Sequence, residues 1–331
     1  MKKIILSAIV FVGAMTLNAQ DEAPKLSISG TVDAYYQTYL TAPDDASVSF
    51  GTSFADEAGF ALGMANLVLS YDGEKTGVVA DLVYGPRGDS AAGDYNLNQL
   101  YAYWNVSETT TLTAGRFNTY LGYEVISPAG NFNYSTSYLF SNGPFSHVGL
   151  KADFALSEDF SLMLAVMNPT DINNNATGDY GLGAQLGYAG QYLNLYYDND
   201  SVLGFEIDYT GGFDLSDSFF LGINGAYQVS NDAGFYGAAL YPQLTTSDSF
   251  SIGLRGELFG RHLKDGEDLP SVFATTLTGS YTVENLTIKP EVRLDAWTNG
   301  ENLDGGLPYV DADGVAAKSL AAFTVAAIYS F

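Results

Sequence analysis

The chain has 331 residues, of which 38 are acidic and 13 are basic, so its formal net charge is −25 at pH 7. So acidic a chain repels nucleic acid, which excludes that class of partner. Because cysteine is absent, disulfides and thiolate–metal chemistry are excluded as well. The 24 tyrosines, 20 phenylalanines and 36 glycines, with only 15% charged residues, are typical of twisted strands with aromatic girdles.

The first 19 residues have the pattern of a cleavable secretory signal peptide. Lys2 and Lys3 form a positive start, residues 4–17 form an apolar stretch, and small-residue chemistry predicts cleavage after Ala19. The apolar stretch is too short for a membrane helix. We therefore expect a mature chain of residues 20–331 outside the cytoplasm, with 11 basic residues against 38 acidic ones.

Apolar and polar residues alternate in several segments of the mature chain. The clearest is 286–295, where apolar residues alternate with a run of polar ones that ends in Lys289, Glu291, Arg293 and Asp295. No apolar stretch is long enough to span a bilayer as a helix, so a membrane location requires a closed barrel. The same alternation occurs in segments 26–40, 148–154, 205–209 and 250–258.

Short polar turns alternate with longer loops rich in Gly, Asn, Asp and Pro. Short turns are predicted at 72–75, 107–109, 157–159, 189–191, 215–217, 245–248 and 283–285. Long loops are predicted at 41–59, 85–95, 118–146, 169–180, 198–203, 230–234, 260–270 and 298–316. The alternation predicts an all-β fold, a single antiparallel up-and-down transmembrane barrel of about 16 strands with short periplasmic turns and long outer loops.

One segment breaks the alternation. Leu112, Ala114 and Arg116 would share a face, unless a β-bulge at Gly115 restores the pattern. The inward position of Arg116 therefore depends on that bulge.

The last residues carry a separate signal, since apolar residues alternate from Phe323 to the final Phe331. A terminal aromatic strand of this kind resembles the recognition signal read by the barrel assembly machinery. With the signal peptide, it predicts a barrel among the lipids of the outer membrane of a Gram-negative bacterium. The alternatives are a chain that merely ends in a sheet strand, and a soluble array of β-sandwiches.

The longest loop, 118–146, is the third outer loop in this scheme. Loops this long without regular structure are usually functional or disordered, and the aromatic content of this one argues against disorder. We expect it either to fold into the lumen as a constriction or to form an external cap.

The strand count decides the expected function. A barrel of about sixteen strands encloses a water-filled channel, whereas an eight-stranded one is filled by its own side chains. We therefore expect a porin for passive diffusion of small hydrophilic solutes or ions. The alternative is a non-conducting barrel that serves as a surface adhesin, receptor or structural anchor.

An enzyme is not expected. The sequence has two histidines, His147 and His262, and neighbouring Ser146 and His147 would point to opposite faces of a strand. No cofactor or metal is expected either, because the acidic turn at 311–314 lacks the downstream Glu of an EF-hand.

Lumen-facing parity, or a position at a strand end, assigns charged residues to the lumen. The basic candidates are Arg87, Lys151, Arg255, Lys289 and Arg293, with Arg116 ambiguous. The acidic candidates are Asp33, Asp81, Asp153, Glu206, Asp208, Glu257, Glu291 and Asp295. Opposed acidic and basic walls would create a transverse field that orients solutes, or the charges would simply pair across strands.

Several stretches carry a family resemblance. They are residues 81–87 (DLVYGPR), 114–117 (AGRF), 122–124 (GYE), 133–139 (NYSTSYL) and 143–149 (GPFSHVG). They resemble the OmpL-like β-barrel porins (β-barrel porin-2) common in Bacteroidota, most clearly over 60–155 and loosely to the C-terminus.

The resemblance implies an outer-membrane porin, in a family whose substrates are largely unassigned. It further implies that Arg87, Arg116, Glu124 and His147 shape the pore or anchor the loop. Sixteen-stranded porins are often trimers, so a homotrimer is expected by the same analogy.

Overall fold

The computed structural model describes residues 25–45, 48–55, 57–263, 269–298 and 307–331. The predicted signal peptide lies outside the described residues, so cleavage after Ala19 stays a prediction.

Sixteen antiparallel strands of the described residues form one closed barrel, which confirms the predicted fold. Each strand pairs with its sequence neighbours in the barrel, and the last strand pairs with the first. The barrel strands of the first half are β1 Lys25–Tyr39, β2 Gly59–Asp72, β3 Thr76–Tyr84, β4 Leu97–Ser107, β5 Thr110–Asn118, β6 Ser146–Ala155, β7 Phe160–Met167 and β8 Gly181–Tyr188. Those of the second half are β9 Gln191–Tyr197, β10 Phe205–Asp214, β11 Phe219–Ser230, β12 Ala233–Ser247, β13 Phe250–His262, β14 Val272–Val283, β15 Leu286–Trp297 and β18 Ser319–Ser330.

The short elements lie in the long connections. They are α1 Pro86–Ala92, a 3₁₀ turn Gly93–Tyr95, α2 Tyr138–Asn142, and a two-stranded hairpin of β16 Tyr309–Val310 and β17 Ala316–Ala317. Among the described residues, no helix has the length and apolar character needed to cross a membrane.

Strand β15 illustrates why the sequence forms a barrel wall. Val292 and Leu294 lie on the outer face with 42% and 47% of their surface exposed, whereas Glu291, Arg293 and Asp295 on the inner face are buried. A period of two places consecutive side chains on opposite faces, so apolar residues face outward and charged ones inward.

The barrel closes at its two terminal strands. β1 and β18 pair from Thr31 with Ser330 to Tyr39 with Ala322. Beyond this ladder, Gly30 and Phe331 exchange two backbone hydrogen bonds of 3.0 Å. Every barrel strand therefore has two partners, and no strand edge is left to lipid.

Two predicted connections differ from the structure. The long loop predicted at 230–234 is a tight turn of Asn231 and Asp232, both with positive φ (50° and 67°), a conformation that Asn and Asp tolerate and that joins strands in two residues. The turn predicted at 245–248 lies at 248–249, because β12 continues to Ser247 with a register shift after Thr245.

Apolar clusters fill the long-loop half of the interior. In one of them, Val83 of β3 and Ala91 of α1 pack with Phe54 and Phe140, which come from two different long loops. The barrel interior is thus packed like a protein core at this end.

Gly115 interrupts the face alternation of β5 in a way that differs from the predicted bulge. The pairing of β4 and β5 runs without a shift through Ala102 with Ala114, Tyr101 with Gly115 and Leu100 with Arg116, so the bulge prediction is wrong. Instead Gly115 has φ +134°, a region that glycine enters readily, and Arg116 after it is buried.

We expect Gly115→Ala to destabilise the barrel by about 1–3 kcal/mol, because an L-residue is strained at this φ. The added Cβ would also meet the backbone of Leu100 and Tyr101. Urea unfolding of the lipid-reconstituted chain measures the change. Gly256→Ala is the matched control, since its Cβ meets nothing within 4 Å. Equal stability of the two variants would contradict the prediction.

Candidate functional site

The third long loop (residues 118–146) enters the barrel and crosses its interior. Its residues 133–140 are all buried against side chains of strands. The loop contains no strand, so its backbone N–H and C=O groups need partners other than a sheet ladder. Charged side chains of the barrel wall supply many of them.

Glu291 of β15 accepts hydrogen bonds from the start of this buried stretch. Its carboxylate accepts from the backbone N–H of Tyr134 at 2.8 Å and of Ser135 at 3.1 Å, and from the Ser135 hydroxyl. Thr278 on neighbouring β14 donates a further bond at 2.7 Å. Hydrogen bonds to an ionised acceptor are the strong ones, so Glu291 fixes the loop backbone at this point.

Glu257 of β13 holds the beginning of α2 in the same way. Its two oxygens accept from the backbone N–H of Tyr138 at 2.9 Å and of Leu139 at 2.8 Å. Ser137 caps the helix, because its hydroxyl accepts from the N–H of Phe140 at 3.0 Å. The otherwise unpaired N–H groups at the start of α2 are therefore satisfied.

Arg255 of β13 binds the loop through its carbonyl oxygens. It donates to the carbonyl oxygens of Ser135 at 2.6 Å and Thr136 at 3.2 Å. It also forms a fully buried ion pair of 2.7 Å with Glu124, which belongs to the same loop. Breaking such a pair leaves a buried charge uncompensated, so Arg255 and Glu124 bind the loop tightly to the wall.

Arg293 and Lys289 of β15 donate to further loop carbonyls. Arg293 pairs with Asp295 at 2.9 Å and donates to the carbonyl oxygen of Thr136 at 3.0 Å. Lys289 donates to the carbonyl oxygens of Pro128, at 3.1 Å, and Asn131. The two cations are therefore bonded within the protein and not presented to solvent.

Arg87 of α1 and Asp33 of β1 meet the loop at Tyr134. Arg87 donates to the Tyr134 carbonyl oxygen at 2.9 Å and lies over the rings of Phe54 and Tyr134, at 4.5 and 5.1 Å. Asp33 accepts from the Tyr134 hydroxyl at 2.6 Å. The loop thus contacts opposite ends of the chain, β1 and β15, through one residue.

The opposite wall is acidic. Asp208 of β10 accepts from Asn194 and Asn224 at 2.6 Å each, and from the backbone N–H of Gly122 in the loop at 3.0 Å. Oε2 of Glu206, two residues earlier, accepts no hydrogen bond from the described residues and is buried. Asp81 lies on the other side of the barrel, on β3, two strands from β1, and accepts from Asn66 and Asn98.

Arg116 and Asp171 lie where the third long loop leaves and rejoins the wall. Arg116 donates to the carbonyl oxygens of Asn98 at 3.1 Å and Ala91 at 3.4 Å. Asp171, in the loop after β7, accepts from the backbone N–H groups of Phe145 and Ser146. Burial raises the pKa of the Asp171 carboxyl above its ordinary value.

Ser146 and His147, neighbours in sequence, have separate partners. The Ser146 hydroxyl donates to Asp171 at 3.0 Å, whereas His147 Nε2 lies 3.0 Å from the Thr119 hydroxyl. The His147 ring is fully buried between Tyr120 and Tyr196. His147 therefore packs the start of the loop against the wall.

Lys151 and Asp153 of β6 differ from the other charged residues of the interior. They pair at 2.6 Å, with 25% and 40% of their side chains exposed. They face the short-turn half, where the described inner face is lined largely by exposed or half-buried hydroxyl groups, among them Ser27, Ser29, Ser70, Thr111, Ser161, Thr245, Ser251 and Thr282. This half forms a polar vestibule below the loop.

The structure brings most of the sequence-predicted residues to the barrel interior, around the third long loop. It also reveals residues that sequence reasoning missed, chiefly Asn131, Tyr134 and Tyr138 in the loop and Phe50 and Phe54 in the first long loop (residues 41–59). The aromatic content of both loops was the available signal. No group of three acidic or histidine side chains able to hold a metal occurs in the described part of the chain.

A closed sixteen-stranded barrel with a long loop inside it and charged residues on its inner wall defines the class of outer-membrane porins. The sequence matches the family described as beta-barrel porin-2, OmpL-like, over residues 25–331, and the chain belongs to that family. It is a porin of the outer membrane. No curated protein sequence matches the chain significantly.

Solved structures with this fold are distant in sequence. The outer membrane channel DcaP of Acinetobacter baumannii is 13% identical, with a TM-score of 0.61 over 93% of this chain and 98% of that one. An anion-selective porin from Comamonas acidovorans is 11% identical, with a TM-score of 0.61 over 93% and 100%. OmpT of Vibrio cholerae in a trimer form is 10% identical, with a TM-score of 0.56 over 94% and 100%.

We expect Glu291→Gln to loosen the third long loop by about 1.5–3 kcal/mol, because Tyr134 and Ser135 donate to different oxygens of Glu291 and the amide NH₂ would oppose one of these two N–H donors. Hydrogen exchange of the peptide that contains Tyr134 and Ser135 should become at least about tenfold faster.

The control is Glu158→Gln, the same substitution in an exposed turn. Unchanged protection of that peptide in Glu291→Gln would show that Glu291 does not hold the loop.

Proposed function

We propose that this porin is a passive-diffusion channel for small hydrophilic solutes, prefers neutral and cationic ones over anions, and uses the third long loop as its constriction. The observation that carries the proposal is that all six basic candidates have hydrogen-bond or ion-pair partners within the protein. Arg87, Arg116, Arg255, Lys289 and Arg293 donate to carbonyl oxygens, and Lys151 pairs with Asp153. Each of the six bases thus bonds a carbonyl oxygen or a carboxylate of the protein, which weakens its attraction for an anion that enters the barrel.

The balance of charge supports the same preference. The sixteen candidate residues include nine carboxylates and six bases, so the wall has an acidic surplus. The whole chain has a net charge of −25. A surplus of one sign in a cleft with low-dielectric walls concentrates counter-ions there, in this case cations.

The hydroxyl groups that line the vestibule favour polar solutes as the substrates of the channel. Its hydroxyl groups can hydrogen-bond either donors or acceptors, which suits small solutes of mixed polarity. The packed long-loop half restricts size, because the loop spans from Gly122 on one wall to Tyr134 and Tyr138 on the other.

The packing of the long-loop half also favours a second candidate, a non-conducting barrel that acts as an adhesin, receptor or structural anchor. Stable unitary currents from the reconstituted chain separate the two functions. We propose further that the protein is not an enzyme, which is supported by the separate partners of Ser146 and His147.

We expect the reversal potential of the reconstituted channel in a potassium chloride gradient to have the sign of a cation-preferring pore. Asp153→Asn should lower the cation-to-anion permeability ratio on the order of twofold, because it leaves the half-exposed Lys151 uncompensated. The effect should grow at low salt, since salt screens exposed charges.

Glu158→Gln, which removes one negative charge from an exposed turn, is the control and should leave the ratio unchanged. An anion-preferring reversal potential of the unmodified chain would overturn the proposed preference.

We also propose that the chain assembles as a homotrimer, by analogy with the trimer form of the Vibrio cholerae protein. The apolar outer face can pack against lipid or against another copy. Unheated protein extracted in mild detergent should have three times the mass of the heated chain by light scattering. A monomer mass under both conditions would contradict the proposal.

We also propose that the chain carries two export signals. Cleavage after Ala19 would release the mature chain, and the terminal Phe331, half of whose surface is exposed beside the closing strands, would be read by the barrel assembly machinery.

A further inference from the structure

A cavity of about 280 Å³ opens at the long-loop end of the barrel, above the constriction. Its lining includes aromatic side chains from four separate places in the chain: Tyr138 of α2, Phe259 of β13, Trp297 of β15 and Tyr309 of β16. Trp297 is half-buried and supplies the apolar face together with Leu269, Pro270 and Pro308, whereas the other three rings are buried behind it. Polar groups lie at its rim. Apolar walls with a few placed polar groups are the usual composition of a small-molecule site.

The aromatic rings are held in fixed orientations. Tyr138 stacks on Phe259 with centroids 5.6 Å apart and meets Trp297 edge-on at 6.1 Å. The Trp297 indole N–H donates to the Tyr309 hydroxyl at 3.3 Å, and that hydroxyl lies 3.1 Å from the Tyr138 hydroxyl. Because rings and hydroxyls are fixed before any solute arrives, binding would cost little side-chain entropy.

Tyr309 keeps its proton at neutral pH. Burial, and after it the negative charge of Asp295, raises the pKa of Tyr309 to about 12. The Tyr309 hydroxyl is therefore neutral and remains a hydrogen-bonding group, whereas Arg261 at the rim is charged.

The rim offers planar polar groups. Arg261 donates to Asn142 Oδ1 at 2.6 Å, and the Asn142 amide donates to the Tyr138 carbonyl oxygen at 2.8 Å. Arg261 is exposed, and a guanidinium has five N–H donors, so this one bond leaves donors for a ligand. Two adjacent hydroxyl groups of a ligand match such a planar donor array.

We infer that this cavity binds one neutral pyranose ring. The apolar C–H face of a pyranose fits the half-buried indole of Trp297, its hydroxyl edge fits the rim formed by Arg261 and Asn142, and the volume suits a single ring. The net charge of −25 disfavours an anionic ligand, although Arg261 is cationic.

The site lies directly over the constriction, because Tyr138 and Asn142 belong to the third long loop. A sugar that arrives at the long-loop mouth would be held before the narrow part of the path. The inference goes beyond the proposed diffusion function, and its test measures binding without any current.

Trp297 serves as the reporter. The chain has one other tryptophan, Trp104, half-exposed on the outer face of β4, so the Trp104→Phe variant of the full mature chain isolates the signal. Titration of this folded variant with methyl α-glucopyranoside should give a saturable change in emission with a millimolar midpoint. The open-chain polyol mannitol should give none.

Arg261→Gln in the same background should weaken the midpoint about fivefold, since charged hydrogen-bond donors are lost from the rim. Lys75→Gln, in an exposed turn at the opposite end, should leave it unchanged. Near-UV circular dichroism of each variant verifies that the aromatic walls are intact.

Three results would overturn the inference. One is the absence of a saturable change up to about 0.1 M glucoside, where even a weak site would fill. Another is an equal response to mannitol, which would exclude ring recognition. The third is tighter binding of benzoate than of the glucoside, which would assign the cavity to anions. The reversal-potential measurement tests the proposed channel function, and its result does not depend on any of these three.

Discussion

The arrangement inside this barrel depends on one requirement: an irregular segment placed where sheet partners are absent must find partners for its backbone polar groups. The third long loop meets it through charged side chains of the wall. Glu257 and Glu291 accept from its N–H groups, while Arg255, Arg293 and Lys289 donate to its carbonyls. Charged partners make strong hydrogen bonds, and each in turn is compensated by the loop.

This requirement changes the meaning of charged residues on the inner wall. In an empty channel, bases and acids on facing walls would act on the solute. Here Arg255, Arg293 and Lys289 act on the protein's own backbone, and the groups left to the solute are those of the vestibule, such as Lys151 and Asp153. Neither the transverse field nor simple pairing across strands describes this arrangement fully, since the loop lies between the walls.

The barrel itself was predictable because its signal is local. Outward and inward residues alternate along each strand, so Leu294 and Asp295 reveal their faces from sequence alone. The wrong predictions concern places where backbone conformation overrides the pattern. Gly115 redirects Arg116 without an extra residue, and Asn231 and Asp232 form a two-residue hairpin turn.

The contents of the interior were less predictable because their contacts are remote in sequence. No residue near Tyr134 in the sequence indicates that its hydroxyl bonds Asp33, and none near Tyr138 indicates that its hydroxyl bonds Asp295. The aromatic content of the third long loop argued against disorder, but did not indicate what the loop contacts. Periodicity reports which face a residue occupies, whereas pairing across the lumen depends on the closed three-dimensional shape.

The partners of the third long loop also impose an order on assembly. The loop follows β5, yet Glu257 and Glu291 stand 119 and 157 residues away from Tyr138 and Tyr134 along the chain. Until β13 and β15 join the sheet, the loop has no acceptors for these N–H groups. Docking of the loop therefore requires that β13 and β15 already belong to the wall, so one side of the barrel sets when the segment from the other side can fold.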